Sequence, residues 1–111
     1  MARQREIKIT RSSGNVFADL SLPNPELERE KSSLVMMIDD AIKVRRLTQA
    51  AAGALMGIDQ PKVSHLLRGG FGGFSTQRLL EFLTRLGRDV DIIVRPAKGS
   101  RGRGRLRVSM G

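Results

Sequence analysis

No cysteine, tryptophan or tyrosine occurs in the 111 residues, and only 4% of them are aromatic. Without cysteine there is no disulfide framework, thiolate nucleophile or zinc-thiolate site. The single histidine, His65, has no partner histidine, which weakens any case for a metal site or a catalytic triad. No apolar run approaches the roughly 18 residues that span a bilayer, and the N-terminal MARQREIKIT lacks the apolar block of a signal peptide. No cluster of titratable residues stands at catalytic spacing. The expectation is a cytosolic, non-enzymatic protein in a reducing compartment, without metal or cofactor.

What the chain does have is 40% apolar residues, enough for one small domain with a core of Leu, Ile, Val, Met and Ala. Its net charge of +9 lies at the two ends. Arg3, Arg5, Lys8 and Arg11 face only Glu6 in residues 1–11, and Arg95, Lys98, Arg101, Arg103, Arg105 and Arg107 face no acid in residues 95–111. Residues 12–94 are neutral overall. A neutral body with cationic arms suits a protein that docks on nucleic acid, because arms can neutralise phosphates without entering the fold. The plainer alternative is that the arms only aid solubility. The Arg/Gly-rich tail, residues 97–111, has too few apolar residues to pack and is expected to be disordered.

Hydrophobic spacing predicts a mainly α-helical bundle of four to five helices over residues 25–96. Residues 1–24 form an N-terminal arm in which REIKIT alternates like a short edge strand and Val16, Phe17, Leu20 and Leu22 can pack down. Asn24, Pro25, Glu26 and Glu28 mark a helix start. Leu34, Ile38, Ala41 and Ile42 continue it as a stripe to Arg46, either in one piece or broken near Ser32-Ser33. Asp39 and Asp40 read as solvated surface. Thr48 caps a helix over Gln49–Met56 that Gly57 stops. Asp59 caps a second over Gln60–Arg68, with Pro61 in its first turn. FGGFS is a loop; the glycines around Phe71 lack the preceding strand and the Lys-Ser/Thr of a phosphate loop. Ser75 then caps a last helix, with Phe74 stapled onto Leu79, and Leu79, Phe82, Leu83 and Leu86 run to the stop at Gly87. Val90, Ile92 and Val94 alternate with Asp89, Asp91, Ile93 and Arg95 and predict a C-terminal β-strand over 89–95. It would pair within the chain or with the same strand of a second subunit.

Two short helices joined by a tight glycine turn make a helix-turn-helix. The stretch LTQAAAGALMGIDQPKVSHLLRG, residues 47–69, resembles the helix-turn-helix of the Cro/repressor (XRE) superfamily. Ala52, Met56, Ile58, Val63 and Leu66 form its small core and Gly53 lets the helices cross closely. That superfamily usually has Leu at the position of Ala52 and Ala at that of Gly53, so looser packing is expected. Together with GNVFADLSLPNPE upstream and GGFSTQRLLEFLTRLGRDVDIIVRP downstream, the chain resembles the short HigA-type antitoxins. Those are DNA-binding partners of RelE/HigB-type ribonuclease toxins that repress their own operons. The resemblance implies a homodimer on a palindromic DNA operator and a RelE/HigB-type toxin as second partner, with no residue assigned to toxin binding.

In the superfamily the second helix lies in the major groove. Carried onto this sequence, the base-reading candidates are Gln60, Pro61, Lys62, Ser64 and His65, and the phosphate candidates are Thr48, Gln49 and Arg68. Gln60 suits a bidentate pair with adenine and Lys62 suits guanine O6 or N7. His65 can donate to a base or phosphate, and Pro61 offers only apolar surface to a thymine methyl. Each has a plainer role: Thr48 caps, and the others can be ordinary solvated residues. Ser64 and His65 are not a nucleophile pair, since adjacent helix residues do not face each other. Two rivals remain: a stand-alone XRE-family regulator without a toxin, and an RNA-binding protein acting through the Arg/Gly tail.

Overall fold

The computed structural model describes residues 25–99 and 102–111, so the expected N-terminal arm and its REIKIT strand lie outside the described residues. Four helices are found among the described residues: α1 Pro25–Val44, α2 Gln49–Met56, α3 Gln60–Leu67 and α4 Thr76–Arg85. Their starts follow from local chemistry. Thr48, Asp59 and Ser75 each turn a side-chain oxygen back to accept the backbone N–H three residues on, from Ala51, Lys62 and Arg78 at 3.0, 3.1 and 3.1 Å. Each removes one of the orphan donors at a helix N-terminus.

The helix stops are equally local. Gly57 and Gly87 take left-handed backbone with φ of 82° and 92°. Arg88 N–H reaches Leu83 C=O at 2.9 Å, closing the end of α4. At the end of α1 the left-handed residue is Arg46, φ 55°, and Leu47 N–H bonds Ile42 C=O at 3.0 Å. An arginine there carries a steric cost that glycine would not.

One cluster of side chains holds the helices together: Leu34, Val35, Ile38, Ala41 and Ile42 from α1, Ala52 and Met56 from α2, Val63 and Leu66 from α3, and Leu79, Phe82 and Leu83 from α4, with Phe74 and Leu86 flanking α4. α1 lies against α4 and α3, while α2 lies against α3 and α4. Burial of this interior is the main stabilising contribution, since the three ion pairs among the described residues are all solvent-accessible.

One alternative left open by the sequence is decided and three expectations need correction. α1 is unbroken across Ser32-Ser33, because Ser33 Oγ bonds back to Arg29 C=O at 3.2 Å and buried Leu34 and Val35 follow at once. The α2–α3 crossing is tight, not loose: Ala52 is fully buried, and a Cβ on Gly53 would stand 2.5 Å from Ile58 O and 3.2 Å from Val63 Cγ2. No strand occurs among the described residues, so 89–95 is not a strand within this chain. Only Val90 of its apolar face touches the core, leaving Ile92 and Val94 exposed with no ladder partner. Finally, part of the tail rests on α1. Leu106 N–H donates to Glu26 Oε2 at 2.8 Å, Val108 N–H donates to Glu30 Oε1 at 2.7 Å, and Val108 packs on the core. Apolar side chains alone are too few to hold the tail; two backbone donors facing carboxylates one helical turn apart supply the hold. Between them, Glu26, Arg29, Glu30, Arg105, Leu106 and Arg107 line an open groove of about 400 Å³.

Candidate nucleic-acid interface

Placing a helix for groove reading requires a fixed turn before it, and here the α2–α3 turn is fixed on three sides. Gly53 C=O accepts both Gly57 N–H at 2.7 Å and Ile58 N–H at 3.0 Å, closing α2. Asp59 then caps α3. Pro61 sits in the first turn of α3, where its missing N–H costs nothing and its ring holds φ. From below, Val63 and Leu66 are completely buried and Leu67 is half-buried.

With that face occupied, the opposite face of α3 is free. Gln60, Pro61, Lys62 and His65 are exposed, Ser64 is half-buried, and Arg68 at the C-cap is exposed. Helical spacing aligns Gln60 with Ser64 and Pro61 with His65 and Arg68, so these residues form one band along the helix, with Lys62 at its edge. The band is not uniform. The His65 imidazole folds over Gly70, occupying the place a Cβ there would take. It therefore lies at the C-terminal end of α3, while Gln60, Pro61 and Lys62 share the first turn.

The three expected phosphate ligands differ among themselves. Thr48 is exposed, and its oxygen accepts the Ala51 N–H, which leaves its hydroxyl hydrogen as the group able to reach outward. Gln49, the first residue of α2, is half-buried. Arg68 is exposed just beyond α3. Two cations that were not among the expected DNA ligands stand near this surface. Arg85 Nη1 lies 3.1 Å from the point where a Cβ on Gly57 would stand, which puts a guanidinium beside the α2–α3 turn. Arg46 is exposed two residues before the Thr48 cap. Nothing in the local pattern around Arg85 marks it, because the approach comes from packing α4 against α2. The charge of Arg85 is shared with Glu81, one turn away at 3.4 Å. Among the described residues no group of His, Asp or Glu side chains could hold a metal ion, and no helix is long and apolar enough to cross a membrane.

A helix-turn-helix with its second helix exposed along one polar band defines the class of fold. The family model described as "Helix-turn-helix domain" matches residues 16–95. A solved structure described as "Putative XRE Family Transcriptional Regulator" is similar over 79% of this chain and 97% of its own, with 41% sequence identity and a TM-score of 0.66. The chain belongs to the helix-turn-helix domain family, and within it to the XRE type. No curated protein matches it.

Proposed function

We propose that the protein is a sequence-specific DNA-binding transcriptional regulator that reads the major groove with α3. The observation that carries this reading is the band of Gln60, Pro61, Lys62, Ser64 and His65 on the exposed face of a helix whose other face is buried through Val63 and Leu66. Gln60 and Lys62 in the first turn reach base edges, and His65 reaches a base or phosphate further along. Thr48, Gln49 and Arg68 hold the flanking phosphates, which fixes register without reading sequence. A homodimer would place one α3 in each half of a palindromic operator, with centres about 34 Å apart or a multiple of that.

The resemblance to HigA-type antitoxins extends the proposal to repression of the protein's own operon and neutralisation of a RelE/HigB-type toxin encoded beside it. The likeness to the solved XRE-type structure fits a stand-alone regulator equally. Co-expression with the adjacent reading frame separates the two: a stable complex that suppresses ribonuclease activity supports the antitoxin, and its failure leaves the solitary regulator.

The DNA reading is tested by selecting bound fragments from sheared genomic DNA with three proteins. The full chain should enrich one palindromic site, and a chain ending at Pro96 should enrich the same site. The double variant Lys62→Ala/His65→Ala should lose it, since each good base contact is worth about 1–3 kcal/mol of discrimination. Ending at Pro96 removes five cations. It should weaken binding and flatten the dependence of log K on log salt by up to about 0.9 for each phosphate no longer neutralised. Binding that ignores sequence and vanishes with the tail would instead identify a general RNA or nucleic-acid binder.

A further inference from the structure

Four glycines, Gly69, Gly70, Gly72 and Gly73, surround Phe71, and they are not glycine for the same reason. Gly69 takes left-handed backbone, φ 107°, just beyond α3. Its N–H donates to Leu66 C=O at 3.1 Å while the Gly70 N–H donates to His65 C=O at 2.8 Å, the paired closure that ends a helix on a left-handed glycine. The backbone alone accounts for Gly69. Gly72 and Gly73 have open space where a Cβ would stand. Gly70 fits neither case. Its φ is outside the left-handed range, so its backbone would accept an L side chain. Yet the place of its Cβ is filled by the His65 ring, with Nε2, Cδ2 and Cε1 the nearest atoms.

We infer that Gly70 is a positioning residue for His65 and, through that ring, sets which base pair the C-terminal end of α3 selects. The closure that ends α3 commonly brings the side chains of the two residues it joins into contact. Here a ring lies on bare backbone instead. That backbone is fixed on both sides, by the Gly70 bond to His65 C=O and by Phe71, which packs on the core and accepts the Phe74 N–H at 3.0 Å. The ring therefore has a rigid seat. Neither of its nitrogens has a hydrogen-bond partner among the described residues, so packing alone places the ring and no protein group competes for its nitrogens. An imidazole already seated in one orientation has less freedom to lose on meeting a base than one free to turn about its two side-chain dihedrals. Any side chain at position 70 takes the seat and turns the ring out, while Gln60 and Lys62 in the first turn are untouched. The inference rests on the DNA reading above and adds to it a residue outside α3.

His65 is the only histidine, so its ring protons can be followed without overlap. In the full-length protein they should show nuclear Overhauser contacts to the Gly70 α-protons, and Gly70→Ala should lose these contacts while melting close to the native temperature. Titrated with the site that the native chain selects, Gly70→Ala should bind about two- to tenfold more weakly and lose the same base preference that His65→Ala loses. On random-sequence duplex it should match the native chain. Placed in a His65→Ala background, Gly70→Ala should add nothing, because a residue that acts only through the ring has no effect without it. Gly72→Ala, at an open glycine of the same loop, should bind as the native chain does. A Gly70→Ala chain that binds as tightly as the native one or more so, one that loses affinity equally with and without the His65 ring, or a ring without contact to Gly70 would each overturn the inference. Should the native chain select no site while the ring contact is present and is lost in Gly70→Ala, the DNA reading falls and the base-selecting role with it, but Gly70 remains the residue that seats the ring.

Discussion

Phe82→Ala should lower the stability of the domain by about 3–5 kcal/mol, read as a fall in melting temperature of about 15 °C or more for a domain of this size. Phe82 is 1% exposed. Its ring meets that of Phe74 edge-on, with centroids 5.7 Å apart and planes at 70°, an arrangement that adds about 0.5–1.5 kcal/mol to area burial. The Arg78 guanidinium lies over both rings, 5.3 Å from one centroid and 5.2 Å from the other. Truncation removes one of the two rings of this stack and leaves a cavity where Phe82 was buried. Phe82→Leu keeps most of the volume and should cost much less. Thermal denaturation of the two variants checks this; a small, equal loss in both would mean that the stack contributes little.

Gly53→Ala should destabilise by about 1–3 kcal/mol, against the usual rule that alanine improves a helix by about 1 kcal/mol over glycine. Overlap decides the sign. The new methyl would meet Ile58 O at 2.5 Å, and that oxygen is backbone in the turn that sets the direction of α3, not the end of a side chain free to swing away. Relief requires α3 to shift, so operator affinity should fall even at temperatures where the variant is fully folded. Urea unfolding gives the first quantity and titration with the selected site the second. A variant as stable as the native chain, with the same affinity, would mean that the turn yields freely.

Gly53 also marks how far the sequence can be read. The caps at Thr48, Asp59 and Ser75 and the stops at Gly57 and Gly87 are legible because each depends on a hydrogen bond or dihedral within a few residues. The inward stripe of Leu34, Ile38, Ala41 and Ile42 and the outward band on α3 are legible because helical periodicity alone sorts them. The tightness at Gly53 is not, since it depends on how close Ile58 O comes once α3 packs through Val63. Arg46 as the left-handed end of α1 has no signal, because glycine or asparagine is the residue ordinarily found there. The approach of Arg85 to the turn is tertiary and carries no local mark. For 89–95, alternation announces a strand that does not occur among the described residues, because a strand is a property of two segments and periodicity in one cannot supply the other. Along the Arg/Gly tail, composition speaks only for apolar side chains, whereas the hydrogen bonds that hold it are made by main-chain atoms.

That last contact separates two properties of the tail that are easily treated as one. Leu106 and Val108 are held at Glu26 and Glu30 through amide hydrogens, which every residue but proline carries. The resting place of this stretch is therefore written in its main chain, whereas the pull on phosphate proposed for it is written in the guanidinium groups of Arg105 and Arg107. Drift in which arginines are kept would retune the second and leave the first where it is.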